Sequence, residues 1–194
     1  MFKRAEMGIG TLIIFISMIL VAAIAASVLI QTVSSLQNKA LLTGERSKTQ
    51  VSTNIMPVNI YAEDGSVDSS LDRFYIKAKL APGSDPISVN DLLIEMSLKN
   101  ESVDYGYNST LGCDNIVGSS STEKFGLDYL IRGDSFSSGY IQRGDVALLC
   151  FETPRSVGED ESISMSMIPK VGSPTIVEKA MPDIVTEKRV TLYP

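Results

Sequence analysis

The hydrophobic positions of this chain change period once. From Met7 to Asn38 no side chain is charged, and Leu12 to Ile30 reads LIIFISMILVAAIAASVLI, interrupted only by Ser17 and Ser27. Apolar residues lie on every side of a helix drawn through this run, so it has no wet face. With Gly10 and Thr11 the core of the run is about 20 residues, or about 30 Å as a helix, enough to cross a bilayer core. Exposing its large side chains to water would cost on the order of 20–40 kcal/mol, an upper bound because an unfolded chain already hides some of that area. Such a segment belongs in lipid or inside protein. A cleaved secretory signal has a shorter apolar region, about 7–15 residues. The sequence after the run keeps a helical rhythm, with Val33, Leu36, Ala40 and Gly44 at spacings of three and four, and no proline occurs before Pro57. The pattern predicts one helix from about Gly8 to about Ser52.

From Asn54 onward the period becomes two. Phe74, Ile76, Ala78 and Leu80 alternate with Tyr75, Lys77 and Lys79. Ile94, Met96 and Leu98 alternate with Glu95 and Ser97, Ile163, Met165 and Met167 with serines, and Val190 and Leu192 with Arg189 and Thr191. Residues 55–62, 126–132, 145–152 and 174–180 are further strand candidates. Alternation of this kind marks strands with one buried and one wet face. Turn signals separate them at Asp64-Gly65, Pro82-Gly83, Arg132-Gly133-Asp134, Arg143-Gly144-Asp145 and Gly172-Ser173-Pro174, and Gly118 to Ser121 reads as a loop. The segment around 100–110 reads as a polar connection between strands. The expected fold class is α+β: a long N-terminal hydrophobic α-helix followed by an antiparallel β-sandwich domain, immunoglobulin-like in the broad sense.

Composition narrows the function. The 194 residues include no histidine, which removes the commonest general acid/base and metal ligand. Two cysteines cannot make a four-thiolate zinc site. Residues 1–50 carry five Lys/Arg and two Asp/Glu, whereas 51–194 carry twelve and twenty-one, so the large C-terminal part is acidic and unlike a nucleic-acid binder. No phosphate-binding glycine loop, dinucleotide fingerprint or G-x-S-x-G is present. Asp85, Asp91, Asp104, Asp114 and Glu159-Asp160-Glu161 could offer oxygen ligands, but without EF-hand spacing they read as solvated loops. Arg-Gly-Asp occurs twice and reads as charged glycine turns between strands. No catalytic residue, metal or cofactor is expected.

The residues before the apolar run carry the sharpest signal. The chain begins Met-Phe-Lys3-Arg4-Ala5-Glu6-Met7-Gly8-Ile9-Gly10-Thr11, a short basic leader abutting the helix. This resembles the class III signal peptide of type IV pilin-like proteins. The resemblance implies cleavage by a membrane peptidase of the prepilin type, with Lys3 and Arg4 as the basic pair, Ala5 before the cut, Glu6 as the new N-terminus and Gly8 three places in. More specifically, GIGTLIIFISMILVAAIAASVLI resembles the N-terminal helix of archaellins, the filament subunits of the archaeal flagellum. Thr43-Gly44, Gln50-Val51 and the closing EKRVTLYP fit the same family. Bacterial pilins usually have a glutamate where this chain has Gly10, whereas many archaellins have glycine where it has Ala5.

The resemblance implies three regions: 1–5 as the cleaved leader, 6–53 as the hydrophobic polymerisation helix and 54–194 as an extracellular β-sandwich. Leu12, Phe15, Ile16, Ile19, Ala22, Ala23, Ala26, Leu29 and Ile30 are then filament-core residues. The partners are copies of the same chain in a helical filament, paralogous subunits, the peptidase, and the membrane before assembly, with no nucleic acid. The place of action is the extracellular flagellar filament. Asn100-Glu101-Ser102 and Asn108-Ser109-Thr110 are N-glycosylation acceptors, and family members commonly carry glycans. In an extracellular chain the even pair Cys113 and Cys150 suggests a disulfide; the alternative is two separate thiols, with Cys150 a small core residue. An adhesion pilin and a membrane-anchored binding module are the competing functions.

Overall fold

A single α-helix, α1 (Phe2–Ser52), opens the chain in the computed structural model, which describes residues 2–63, 71–116, 123–183 and 187–194, with side chains from residue 8 onward inside α1. The helix begins several residues before the expected start near Gly8. Lys, Arg, Ala, Glu and Met are good helix formers, and nothing in the leader interrupts them. The chain divides into two units, Met1–Ser47 and Lys48–Pro194; the second holds the last turn of α1 together with the strands.

Eleven strands follow among the described residues: β1 (Ile55–Glu63), β2 (Leu71–Leu80), β3 (Ile87–Ser88), β4 (Leu92–Leu98), β5 (Glu101–Tyr107), β6 (Lys124–Ile131), β7 (Tyr140–Ile141), β8 (Val146–Val157), β9 (Ser162–Pro169), β10 (Thr175–Ala180) and β11 (Arg189–Tyr193). Nine form one sheet in the order β10-β9-β4-β5-β6-β8-β2-β1-β11, and β3 with β7 makes a separate short ribbon. The sheet is antiparallel except at β5–β6, where Gly106 lies beside Lys124 and Tyr107 beside Phe125 in parallel register. This join divides the sheet into two halves. Their inner faces share one core: Ile94, Met96, Ile163, Met165 and Met167 from one half, Ile60, Phe74, Ile76, Leu149 and Phe151 from the other. The Tyr105 and Phe151 rings, 4.6 Å apart, bridge from β5 to β8. The two outer edges also approach: Thr175 donates its hydroxyl to the Ile55 carbonyl at 2.6 Å, and Lys179 lies over the Tyr193 ring at 5.7 Å. The sandwich is thus one sheet wrapped around its core.

The structure corrects the reading of residues 100–110. Glu101–Tyr107 is a strand, paired to β4 from Glu101 to Gly106, not a polar connection. Val103, Tyr105 and Tyr107 face the core, while Ser102, Asp104 and Gly106 face out. The period-two signal was there, masked by Gly and Asp, which are poor strand formers. The expected turn at Asp64-Gly65 and loop at Gly118–Ser121 lie outside the described residues.

The run Val146–Phe151 is buried almost throughout, because β8 is covered on both sides. Leu149 and Phe151 face the main core; Leu148 and Cys150 face a second cluster with Tyr61, Tyr75, Cys113 and Ile116. The connection after β5 lies over the outer sheet face and supplies Cys113 and Ile116. It is held by the Asp128 carboxylate, which accepts the Cys113 N–H at 2.8 Å, and by a disulfide between Cys113 and Cys150. Gly126 makes room for it: a Cβ there would sit 2.9 Å from the Leu111 carbonyl oxygen and 3.1 Å from the Cys150 sulfur. Burial is the main cause that raises the Tyr61 and Tyr75 phenol pKa values above the usual range.

The two Arg-Gly-Asp turns have unequal fates. Asp145 is buried, and its carboxylate accepts the Gly133 N–H at 2.7 Å and the Gln142 N–H at 2.9 Å, tying one turn to the other. Asp134 is exposed, and Arg132 lies over the Phe136 ring. The second tripeptide therefore spends its carboxylate on structure.

Candidate assembly surface

The large apolar side chains of α1 stand in the open on their own chain. Leu12, Phe15, Ile16, Ile19, Leu29 and Ile30 each keep about half or more of their surface exposed, and Ala22, Ala23 and Ala26 are exposed beside them. The exposure continues through Val33, Leu36, Leu41 and Leu42. Gly8–Ser52 is long and apolar enough to cross a membrane. None of its most apolar part is buried within the chain. A surface this apolar on every side demands a covering of lipid tails or of other helices.

Three of the hydroxyl side chains in the uncharged stretch are turned back onto the helix. Thr11 donates its hydroxyl to the Gly8 carbonyl at 3.0 Å, Ser17 to Ile14 at 2.8 Å and Thr32 to Leu29 at 2.9 Å. With those hydrogen bonds made internally, the hydroxyls can be covered by apolar neighbours without losing partners. The small residues Gly8, Gly10, Ala22, Ala23, Ala25 and Ala26 leave low points between Ile, Leu and Phe, the relief that lets helices approach closely. Nothing lies within 4 Å of a Cβ built at Gly8 or Gly10. Lys3, Arg4, Ala5 and Glu6 lie in the backbone of the first turns of α1.

At its other end α1 finishes inside the second unit, where backbone and hydroxyl groups grip its last turn. Thr53 donates to Thr49 as the helix closes, and the Thr53 carbonyl accepts the Ser173 N–H at 3.0 Å. Ser84 donates its hydroxyl to the Ser52 carbonyl at 3.1 Å and accepts the Asn54 N–H at 3.0 Å. Gly172 permits this closeness: its φ is +131°, and a Cβ would fall 2.5 Å from the Thr53 oxygen. Of these groups, only the glycine turn at 172–174 stood out in the sequence.

The other sequence-derived sites lie on the β unit, apart from one another. Asn100 is exposed at the β4–β5 turn. Asn108 follows β5, and its side-chain oxygen accepts both the N–H and the hydroxyl of Thr110, at 3.0 and 2.8 Å. Ser102, the hydroxyl residue of the first acceptor, is instead engaged with Ser97 at 3.0 Å. Among the described residues no three His, Cys, Asp or Glu side chains gather as a metal site. Asp91 is paired with Lys170 at 3.2 Å, and Glu161 with Arg155, whose guanidinium holds the Glu161 carboxyl below its usual pKa.

Comparison with known proteins gives one consistent answer. The family model described as archaeal-type flagellin matches residues 5–179. Flagellin B1 of Methanocaldococcus jannaschii is 32% identical over 207 residues, covering 98% of this chain and 95% of that protein. The archaeal flagellum structure of Methanospirillum hungatei has a similar fold, with a TM-score of 0.69 at 14% identity, covering 96% of this chain and 99% of the other. The crystal structure of archaeal flagellin FlaB1 from M. jannaschii gives a TM-score of 0.62 at 21% identity, over 73% of this chain and 97% of that one.

Proposed function

The chain belongs to the archaeal-type flagellin family, and from that premise we propose that its copies polymerise through the uncharged part of α1. The protein is a structural subunit of the archaeal flagellum, the extracellular filament used for swimming motility. One observation supports α1 as the polymerising element: a helix surface without charge from Ile9 to Asn38, apolar on every side as far as Ile30, that its own chain leaves uncovered. Leu12, Phe15, Ile16, Ile19, Ala22, Ala23, Ala26, Leu29 and Ile30 form the buried core of the filament, packed against the same residues of neighbouring copies or of paralogous subunits. Before assembly the same surface rests in the membrane. Lipid tails and neighbouring helices are equally apolar, so the exchange between them is driven by packing and not by hydrophobic transfer. Residues 54–194 then form the outer surface of the filament.

The leader 1–5 is removed before assembly by a peptidase of the prepilin type. Its recognition elements are Lys3 and Arg4, followed by the small Ala5. Mass spectrometry of subunits from purified filaments is expected to find a chain starting at Glu6. Filament subunits that retain Met1, or that start within the apolar run, would rule this processing out.

Asn100 and Asn108 carry N-linked glycans on the outer surface. Both stand at ends of β5: Asn100 is exposed in the β4–β5 turn, and Asn108 is half-buried, with its N–H donated to the Phe125 carbonyl at 3.1 Å. Asn108→Gln and Asn100→Gln are each expected to lower the subunit mass by one glycan. An unchanged mass for either variant removes that residue from the assignment.

A further inference from the structure

A pocket of about 270 Å³ lies beside the start of β1, where the last turn of α1 joins the second unit. Thr53 lines it, is 2% exposed, and has a hydroxyl with no hydrogen-bond partner. Two carboxylates also line it. Asp91 is matched by Lys170 at 3.2 Å. Asp85 is exposed and makes no ion pair among the described residues. Pro86, Tyr140 and Val171 give the same pocket an apolar rim. An exposed carboxylate without an ion-pair partner and an apolar rim beside it together suit one kind of guest: a long cationic side chain. Its methylene stem would lie on the rim and its ammonium would donate to the Asp85 carboxylate.

The chain carries a guest with the opposite need. Lys39 is the first charged residue after Glu6, and it has no ion-pair partner within its own chain among the described residues. Leu36, Leu41 and Leu42, on either side of it along the helix, are exposed apolar residues. A covering that reaches Leu42 therefore passes over Lys39, and a covered ammonium is costly without a carboxylate. Arg46 is already engaged within its own chain, and Lys48 belongs to the second unit itself.

We propose that the pocket beside Thr53 and Asp85 receives the Lys39 side chain of a neighbouring subunit. This rests on the reading that α1 is the polymerising element. The contact would be heterologous, with helix on one copy and pocket on the next, as an open filament requires. It would fix how far one helix is displaced along its neighbour, which a uniformly apolar surface cannot do by itself.

The test uses wild-type filaments of the full protein. A carbodiimide, which joins an amine to a carboxylate only in direct contact, is expected to link Lys39 to Asp85 in a species of twice the subunit mass. Lys39→Glu and Asp85→Lys are each expected to lower filament yield about tenfold or more, and the double exchange to restore most of it. Wild-type filaments in which Lys39 is unlinked, or linked elsewhere, overturn the pairing. So do single variants with normal yield or a double variant without recovery. These failures leave α1 as the polymerising element untouched; normal filaments from Ala23→Asp would overturn that reading instead.

Discussion

Ala23→Asp is expected to abolish filaments while leaving the subunit in the membrane fraction. Ala23 lies in the middle of the uncharged run and is exposed on its own chain, so in a polymer its surroundings are neighbouring helices. A carboxylate there has nothing to pair with, because no Lys or Arg occurs between Met7 and Asn38 of any copy. An unpaired buried charge costs at least several kcal/mol, and every subunit along the filament bears it. Membrane insertion loses about 2.5–3.5 kcal/mol on insertion scales, which the remaining apolar residues can absorb. Ile19→Lys is expected to behave alike. Electron microscopy of shed filaments reads the first effect, and blotting of the membrane fraction shows that the variant is made and inserted. A normal filament yield would mean that this part of α1 is not a buried core.

Loss of the Cys113–Cys150 bridge is the second large effect. The bridge spans a sequence separation of 37 residues, for which chain-entropy arguments give about 3–4 kcal/mol of stability. The connection that it ties down also covers Tyr61, Tyr75 and Leu148. Releasing it opens a second apolar cluster as well as relaxing the unfolded chain. Cys113→Ser is expected to lower the midpoint of thermal unfolding by roughly 10 °C or more. Reductant should shift the wild type in the same direction and leave the variant unmoved. Gly126→Val tests the same feature without touching sulfur, since its side chain would press on Leu111 and the bridge. It is expected to cost about 1–3 kcal/mol by overpacking. Unfolding curves of wild type and Cys113→Ser that superimpose would show that this connection is held by other contacts.

The two effects act on different levels of the molecule. The helix variant changes what many copies do together and leaves the β fold alone. The disulfide variant changes the β unit and leaves the apolar surface of α1 intact. A Cys113→Ser subunit is accordingly expected to assemble at low temperature.

The long helix was legible because its signal is local and repeated: uncharged residues from Met7 to Asn38 and a helical rhythm beyond them. The same holds for β4, β9 and β11, whose inward and outward residues alternate as the sequence does, and for β2 except at Tyr75, which the alternation put on the wet face but which is buried in the second cluster under the connection after β5. Side-chain periodicity follows from backbone geometry alone, so it survives whatever the rest of the chain does. The arrangement between strands was not legible. Val146–Phe151 reads as an apolar run, but only the fold shows that Leu148 and Cys150 are covered by the connection after β5. Asp145 reads like Asp134 in sequence, yet one is buried against the Gly133 N–H and the other is exposed. Thr53 and Asp85 are unremarkable polar residues until the fold sets them in one pocket. In each case the deciding neighbour comes from another element, and which element arrives is settled by the packing of the whole sheet around its core. What the sequence determined by itself is a helix that must be covered and a domain of half-buried strands. Which polar groups are buried, bridged or left waiting for a partner was decided only by tertiary contacts, because burial and pairing are properties of a surrounding and not of a residue.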